Sequence, residues 1–187
     1  MRIIAGEFRG RRLHSPSSNN YKIRPTIDKV REAVFNIIAG KVSGAKVLDL
    51  FAGTGAMGME AISRGAQFCC FVDSGAEAIR IIRENVQLCA AHDRSRIIHG
   101  KVSSAITRLS SAGELFDLIF MDPPYGKGLI EKTLQIIGPV ANNETLVIAE
   151  RHVKDEPPLV PVLMWEEKFN RRYGDTLISV YSRLTIL

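Results

Sequence analysis

The chain has 187 residues, 45% of them apolar and 24% charged, which suits one ordinary globular domain and argues against a disordered chain. Cys69, Cys70 and Cys89 are too few for a disulfide framework and lack metal-ligand spacing. No apolar run approaches the ~20 residues of a membrane span, and the first residues lack a secretory signal's apolar core, so a cytosolic, metal-free protein with reduced thiols is expected. The net charge of +5 is unevenly spread: residues 1–44 hold nine Lys/Arg against three Asp/Glu. That excess is either an electrostatic footprint for a polyanion or a solubilising tail.

In chain order, Arg2–Leu13 places Gly6 and Gly10 between short β-prone pieces and reads as a hairpin. Ser15–Asn20 is a loop by its turn residues. A helix then starts at Thr26 behind Pro25 and carries Ile27, Val30, Val34, Ile37 and Ile38 at helical spacing until Gly40. From Ala45 strands and helices alternate: strand Lys46–Phe51, helix Ala56–Arg64, strand Gln67–Val72, helix Ala76–Ala91, strand Arg96–His99, helix Ser103–Leu109, strand Phe116–Met121, helix Leu129–Ile137 and strand Thr145–Glu150. Apolar strands alternating with helices imply an α/β fold with a parallel sheet covered on both faces. Val160–Phe169 and Leu177–Leu184, joined through Tyr173-Gly174-Asp175, read as a hairpin closing one edge. The expected organisation is a basic extension, 1–44, ahead of a catalytic domain, 45–187.

Two motifs carry chemistry. Gly53, Gly55 and Gly58 spell G-x-G-x-x-G between a strand and a helix, and Asp73 ends the next strand, where a carboxylate accepts from ribose hydroxyls. A nucleoside-containing cofactor fits better than a merely structural turn. A dinucleotide needs the helix N-terminus free for its pyrophosphate, and Asp49 puts negative charge there. A cationic cofactor, S-adenosylmethionine, suits that carboxylate better than NAD does. The second motif, Asp122-Pro123-Pro124-Tyr125, follows the fourth strand at the sheet edge where such folds bind ligands. Its prolines remove two N–H donors. The Asp122 carboxylate and the Pro123 carbonyl remain as acceptors for an exocyclic amine, and Tyr125 offers a face for stacking a base. The alternative is a rigid turn with a capping aspartate.

These motifs look like those of class I amino-methyltransferases acting on nucleic-acid bases. Arg2-Ile-Ile-Ala-Gly-Glu-Phe-Arg-Gly-Arg-Arg-Leu13, Arg24-Pro-Thr-Ile-Asp-Lys-Val-Arg-Glu32 and Arg172-Tyr-Gly-Asp-Thr176 narrow the resemblance to the bacterial RsmD family. The resemblance implies a Rossmann-like, seven-stranded, mostly parallel sheet with an antiparallel last strand. It implies methyl transfer from S-adenosylmethionine to the N2 amine of a guanine in 16S ribosomal RNA by a monomer. Asp122, Pro123 and Tyr125 would be catalytic. Asp49, Phe51, Gly53, Thr54, Gly55, Asp73, Ser74 and Val102 would hold the cofactor. Arg9, Arg11, Arg12, Arg24 and Thr26 would meet RNA. Lys101 stands where an acid often holds the adenine amine, so adenine recognition is expected on backbone near Val102. Arg24, Thr26, Asp28 and Arg31 also fit helix capping and i, i+3 ion pairing. Glu150 and His152 read as solvated loop residues, with substrate contact the lesser reading. Other acceptors, adenine N6 or protein glutamine N5, are the nearest alternatives. An NAD-dependent oxidoreductase lacks a Tyr-x-x-x-Lys here, and a non-catalytic RNA-binding module would not need Asp49, Asp73 and Asp122.

Overall fold

The computed structural model describes residues 1–16, 25–157 and 164–184, with 25–27 described by backbone alone. Helix α1 (Pro25–Ile37) leads into strand β1 (Lys46–Leu50). There follow α2 (Ala56–Ser63), β2 (Phe68–Asp73), α3 (Ala76–Leu88), β3 (Ser95–His99), α4 (Val102–Ser111), β4 (Phe116–Met121), α5 (Leu129–Leu134), β5 (Ala141–His152), β6 (Trp165–Tyr173) and β7 (Thr176–Arg183). They form one seven-stranded sheet in the order β3-β2-β1-β4-β5-β7-β6. The first five strands are parallel, and β7 runs antiparallel to both β5 and β6. The expected alternation and terminal hairpin are therefore present.

Each central strand buries both faces, which is why β1 reads as an unbroken apolar run around Asp49. Val47, Phe71, Phe120 and Ile148 pack under α1, α2 and α3, while Leu48, Val72, Ile119 and Trp165 pack with α4 and α5. All three cysteines are buried and free. Among the described residues no helix is long and apolar enough to cross a membrane.

Several boundaries differ from the sequence expectation. The helix expected to reach Ile137 ends at Leu134, before a 3₁₀ turn at Gly138–Val140 that contains Pro139. Strand β5 runs on to His152 because β7 pairs with it as far as the His152–Thr176 register. Glu150 is thus a strand residue, not the solvated loop residue expected. The expected start of the terminal hairpin at Val160 and most of the loop at 15–20 lie outside the described residues; β6 begins at Trp165.

The N-terminal segment doubles back as expected, yet it carries one isolated bridge, Arg2 to Arg12, instead of two strands. Its main-chain groups turn to α2. The Ile4 and Ala5 amides donate to the Glu60 carboxylate at 2.8 and 3.0 Å, and the Phe8 amide donates to Ser63 Oγ at 2.9 Å. Glu60 has no exposed surface, and Arg64 and Arg31 meet it at 2.7 and 3.5 Å. Gly6 crosses this contact at φ +81°, where a Cβ would lie 1.8 Å from the Ser63 carbonyl oxygen. No other residue has both the backbone freedom and the room. Ile3, Phe8, Leu13, Val34 and Phe35 consequently share one core with β1, β2 and β4.

A buried charge with several donors is destabilising to break, because its partners stay buried without it. Glu60→Ala is expected to lower unfolding free energy by about 3–5 kcal/mol in denaturant titration. Glu84→Ala, which removes the solvent-facing Arg80–Glu84 pair, should cost less than about 0.5 kcal/mol.

Candidate active site

The site lies at the C-terminal ends of β1, β2, β4 and β5, and its floor is the loop after β1. Phe51 turns the chain out of the strand at φ +59°, a conformation that is strained for an aromatic residue and clusters at functional sites. Two carboxylates then hold the loop. Asp73 takes the Gly53 amide on Oδ2 and the Gly75 amide on Oδ1, both at 2.8 Å. Asp49 takes the Gly58 amide at 2.9 Å, inside the first turn of α2. That helix N-terminus is already matched with an anion, as the sequence suggested.

Asp49 is 3% exposed. Burial pushes its carboxyl up to about 7 against the pull of the Gly58 amide, and the Asp73 charge adds to the rise. Asp122 stands open at the floor of a concave site. The protein around it strips much of its solvation, and Glu150 and Asp49 add negative charge, so its carboxyl is held well above the ordinary range. Glu150 is raised chiefly by desolvation, while hydroxyls of Tyr125 and Thr176 pull it back. Burial and the charges of Glu150 and Asp122 raise the Tyr125 phenol.

Two recesses that include Asp122 itself meet at the Asp122–Tyr125 turn. The larger, about 720 Å³, is lined by Phe51, Gly53, Asp73, Ser74 and Val102 on one side and by Asp122, Pro123 and Tyr125 on the other. The smaller, about 320 Å³, brings together Asp49, Thr54, Asp122, Tyr125, Glu150 and Thr176. The Tyr125 ring is 45% exposed, its hydroxyl donates to Glu150 Oε1 at 3.2 Å, and its centroid lies 5.6 Å from that of His152.

The fold thus gathers ten of the eleven expected catalytic and cofactor positions around these recesses. Gly55 is the exception: it caps α2 from beneath, where a Cβ would press on Phe71 and Ile82 at 3.2 and 3.3 Å. Lys101 is exposed at the rim beside Val102.

The basic positions are dispersed. Arg9 and Arg12 are exposed, but Arg11 donates to the Leu88 carbonyl at 2.7 Å. It closes the C-terminal end of α3, about 18 Å along that helix from the cleft. Arg31 is 3% exposed and bound to Asp28 at 3.0 Å, the i, i+3 pair that the spacing allowed. Arg24 lies outside the described residues, as does the side chain of Thr26. Sequence reasoning missed Thr176 and gave Glu150 substrate contact only as the lesser reading. Glu150 directly follows the apolar run Leu146–Ala149, but one strand does not show how far its partner extends it.

The family described as Conserved hypothetical protein 95 matches residues 1–182. The chain is 33% identical over 186 residues to ribosomal RNA small subunit methyltransferase D of Escherichia coli strain K12, covering 98% of this chain and 90% of that protein. It is 31% identical to the protein of the same name in Haemophilus influenzae, covering 86% and 83%. The solved structure of yhhF from Escherichia coli superposes with a TM-score of 0.83 at 30% identity, covering 100% of this chain and 99% of that one. That of a hypothetical protein from Thermus thermophilus gives 0.79 at 26% identity, with 100% and 99% covered. From its first residues to its terminal hairpin, the chain belongs to the Conserved hypothetical protein 95 family, the RsmD family that its motifs resemble.

Proposed function

We propose that the chain transfers a methyl group from S-adenosylmethionine to the exocyclic N2 amine of a guanine in small-subunit (16S) ribosomal RNA, in the cytoplasm and as a monomer. One observation carries this reading. At Asp122–Tyr125 a cleft with the volume of a nucleotide-sized ligand site meets a second recess rich in acceptors. The names of the two bacterial relatives support the choice of substrate.

The residues fit the cofactor. Asp49 gives one oxygen to Gly58 and keeps the other for the methionyl ammonium. Each Asp73 oxygen retains a lone pair for a ribose hydroxyl after taking its amide. Gly53 lets the backbone approach, Phe51 and Val102 supply apolar walls, and Thr54 and Ser74 stand at the rim. When bound, S-adenosylmethionine supplies a methyl group on a positively charged sulfur. Asp122 and the Pro123 carbonyl hold the amine hydrogens, which keeps the nitrogen lone pair turned toward the methyl position. A base drawn from its helix stacks on the exposed Tyr125 ring. Arg9 and Arg12, with Arg24 and Thr26, extend the footprint along the RNA backbone. Arg11 contributes there only through its charge, since its guanidinium is engaged by Leu88.

The direct test is transfer of labelled methyl to small-subunit ribosomal RNA, free and as the assembled particle, with mapping of the modified base. Label on the N2 amine of a single guanine is the expected result; label on adenine or protein would reject the reading. Asp122→Ala removes an acceptor used most in the transition state, so kcat should fall about 10²–10³-fold with cofactor affinity little changed. Titration of Asp49 gives a second test. Below about 7 its carboxyl holds a proton and does not pair with an ammonium. Cofactor affinity, read by calorimetry, should therefore rise with pH up to that value and then level, and Asp49→Asn should flatten the profile. Finally, neutralising Arg9 and Arg12 together should weaken RNA binding and reduce its log–log salt slope by ~0.7 for each lost contact on single strands. An unchanged slope would assign the basic excess to solubility.

A further inference from the structure

We propose that Glu150 reads the N1–H of the target guanine and so selects guanine over bases that lack that donor. This rests on the guanine-N2 reading above and deepens it, since nothing in the Asp-Pro-Pro-Tyr turn distinguishes one amino base from another.

Strands β4 and β5 pair Phe120 with Ile148 and Met121 with Ala149. One step further along, Asp122, just past the end of β4, comes level with Glu150 of β5 on the face that holds Phe120, Ile148 and Val47. Asp49 of β1 is in register with Phe120 and belongs to the same face. Asp122, Tyr125 and Glu150 then line one recess, and the Tyr125 hydroxyl ties the stacking ring to the Glu150 carboxylate at 3.2 Å.

A flipped base is read by hydrogen bonds along its Watson–Crick edge and by stacking. On that edge guanine presents the N2 amine and, next to it, the N1–H: adjacent donors. The acceptors available beside the Tyr125 ring are likewise adjacent. Asp122 and the Pro123 carbonyl take the amine, and Glu150 is the next acceptor along. After accepting from Tyr125, its carboxylate still has lone pairs to offer. The hydroxyls of Tyr125 and Thr176 favour its ionised form against the desolvation that opposes it. Adenine bears a bare N1 acceptor at the corresponding place. A carboxylate there would face a lone pair, which leaves two buried acceptors unpaired.

The test uses the full-length protein and two RNAs that differ at one base, the mapped guanine or 2-aminopurine. 2-Aminopurine keeps the N2 amine and replaces the N1–H with a bare acceptor. Wild type should methylate the guanine RNA about 10–100-fold faster, in kcat/KM, than the 2-aminopurine RNA. Glu150→Gln offers an amide donor in the carboxylate's place. It should lose activity on guanine and gain on 2-aminopurine, collapsing or inverting that ratio. Glu150→Asp keeps the acceptor and should preserve the preference even if both rates drop. Calorimetric cofactor binding by each variant reports an intact fold. If Glu150 merely positions Tyr125, both substrates lose rate in parallel and the ratio stays at its wild-type value; that outcome overturns the proposal while leaving the guanine-N2 reading in place. A wild-type enzyme that methylates neither RNA at this amine would remove the reading itself, and the proposal with it.

Discussion

Backbone amides of the loop after β1 are held by carboxylates at the ends of two neighbouring strands, and the site depends on that restraint. Asp73 binds Gly53 and Gly75, and Asp49 binds Gly58. These bonds satisfy amides that the turn and the first turn of α2 would otherwise leave open. They also fix where Phe51 bends out of β1, and with it the wall shared by both recesses. The arrangement leaves no vacant positive helix end for a pyrophosphate, while a buried carboxylate with spare acceptor capacity suits a cation. The choice of cofactor class thus follows from how the loop's own hydrogen bonds are met.

A second carboxylate ties the N-terminal segment to this frame. Glu60 is on α2, seven residues beyond Gly53, and gathers the Ile4 and Ala5 amides with Arg31 and Arg64. The same helix therefore borders the cofactor loop at its start and anchors the basic segment along its length. Residues 1–44 carry the charge of an appended arm, but Ile3, Phe8, Leu13, Val30, Val34 and Phe35 within them pack as part of the core. Through α2 those residues are tied to the loop that borders the cleft, an arrangement that suits the RNA footprint proposed above.

Strand pairing concentrates negative charge where the chemistry is proposed. Asp49, Asp122 and Glu150 come from three adjacent strands and face one way. Desolvation, and after it the charges of Glu150 and Asp49, raise the Asp122 carboxyl. Such an arrangement is unfavourable for the empty protein and is relieved by donors and cations. Carboxylates set this close together are better suited to receive an amine and a cationic cofactor than to stabilise the fold.

The sequence alone determined the succession of strands and helices, the glycine loop with its Asp49 and Asp73, and the acceptor-rich Asp122–Tyr125 turn. Each of these is written in residues a few positions apart, where periodicity, proline and glycine act directly on the backbone. Tertiary structure decided the rest. Glu150 meets Tyr125 across 25 positions, Glu60 meets Ile4 across 56, and Arg11 meets Leu88 across 77. No local pattern marks such partners, because they are chosen by strand order and helix packing. A carboxylate or guanidinium looks the same in sequence whether it is solvated, caps a helix or lines a cleft. Its role is fixed only when the fold has determined which donors and acceptors surround it.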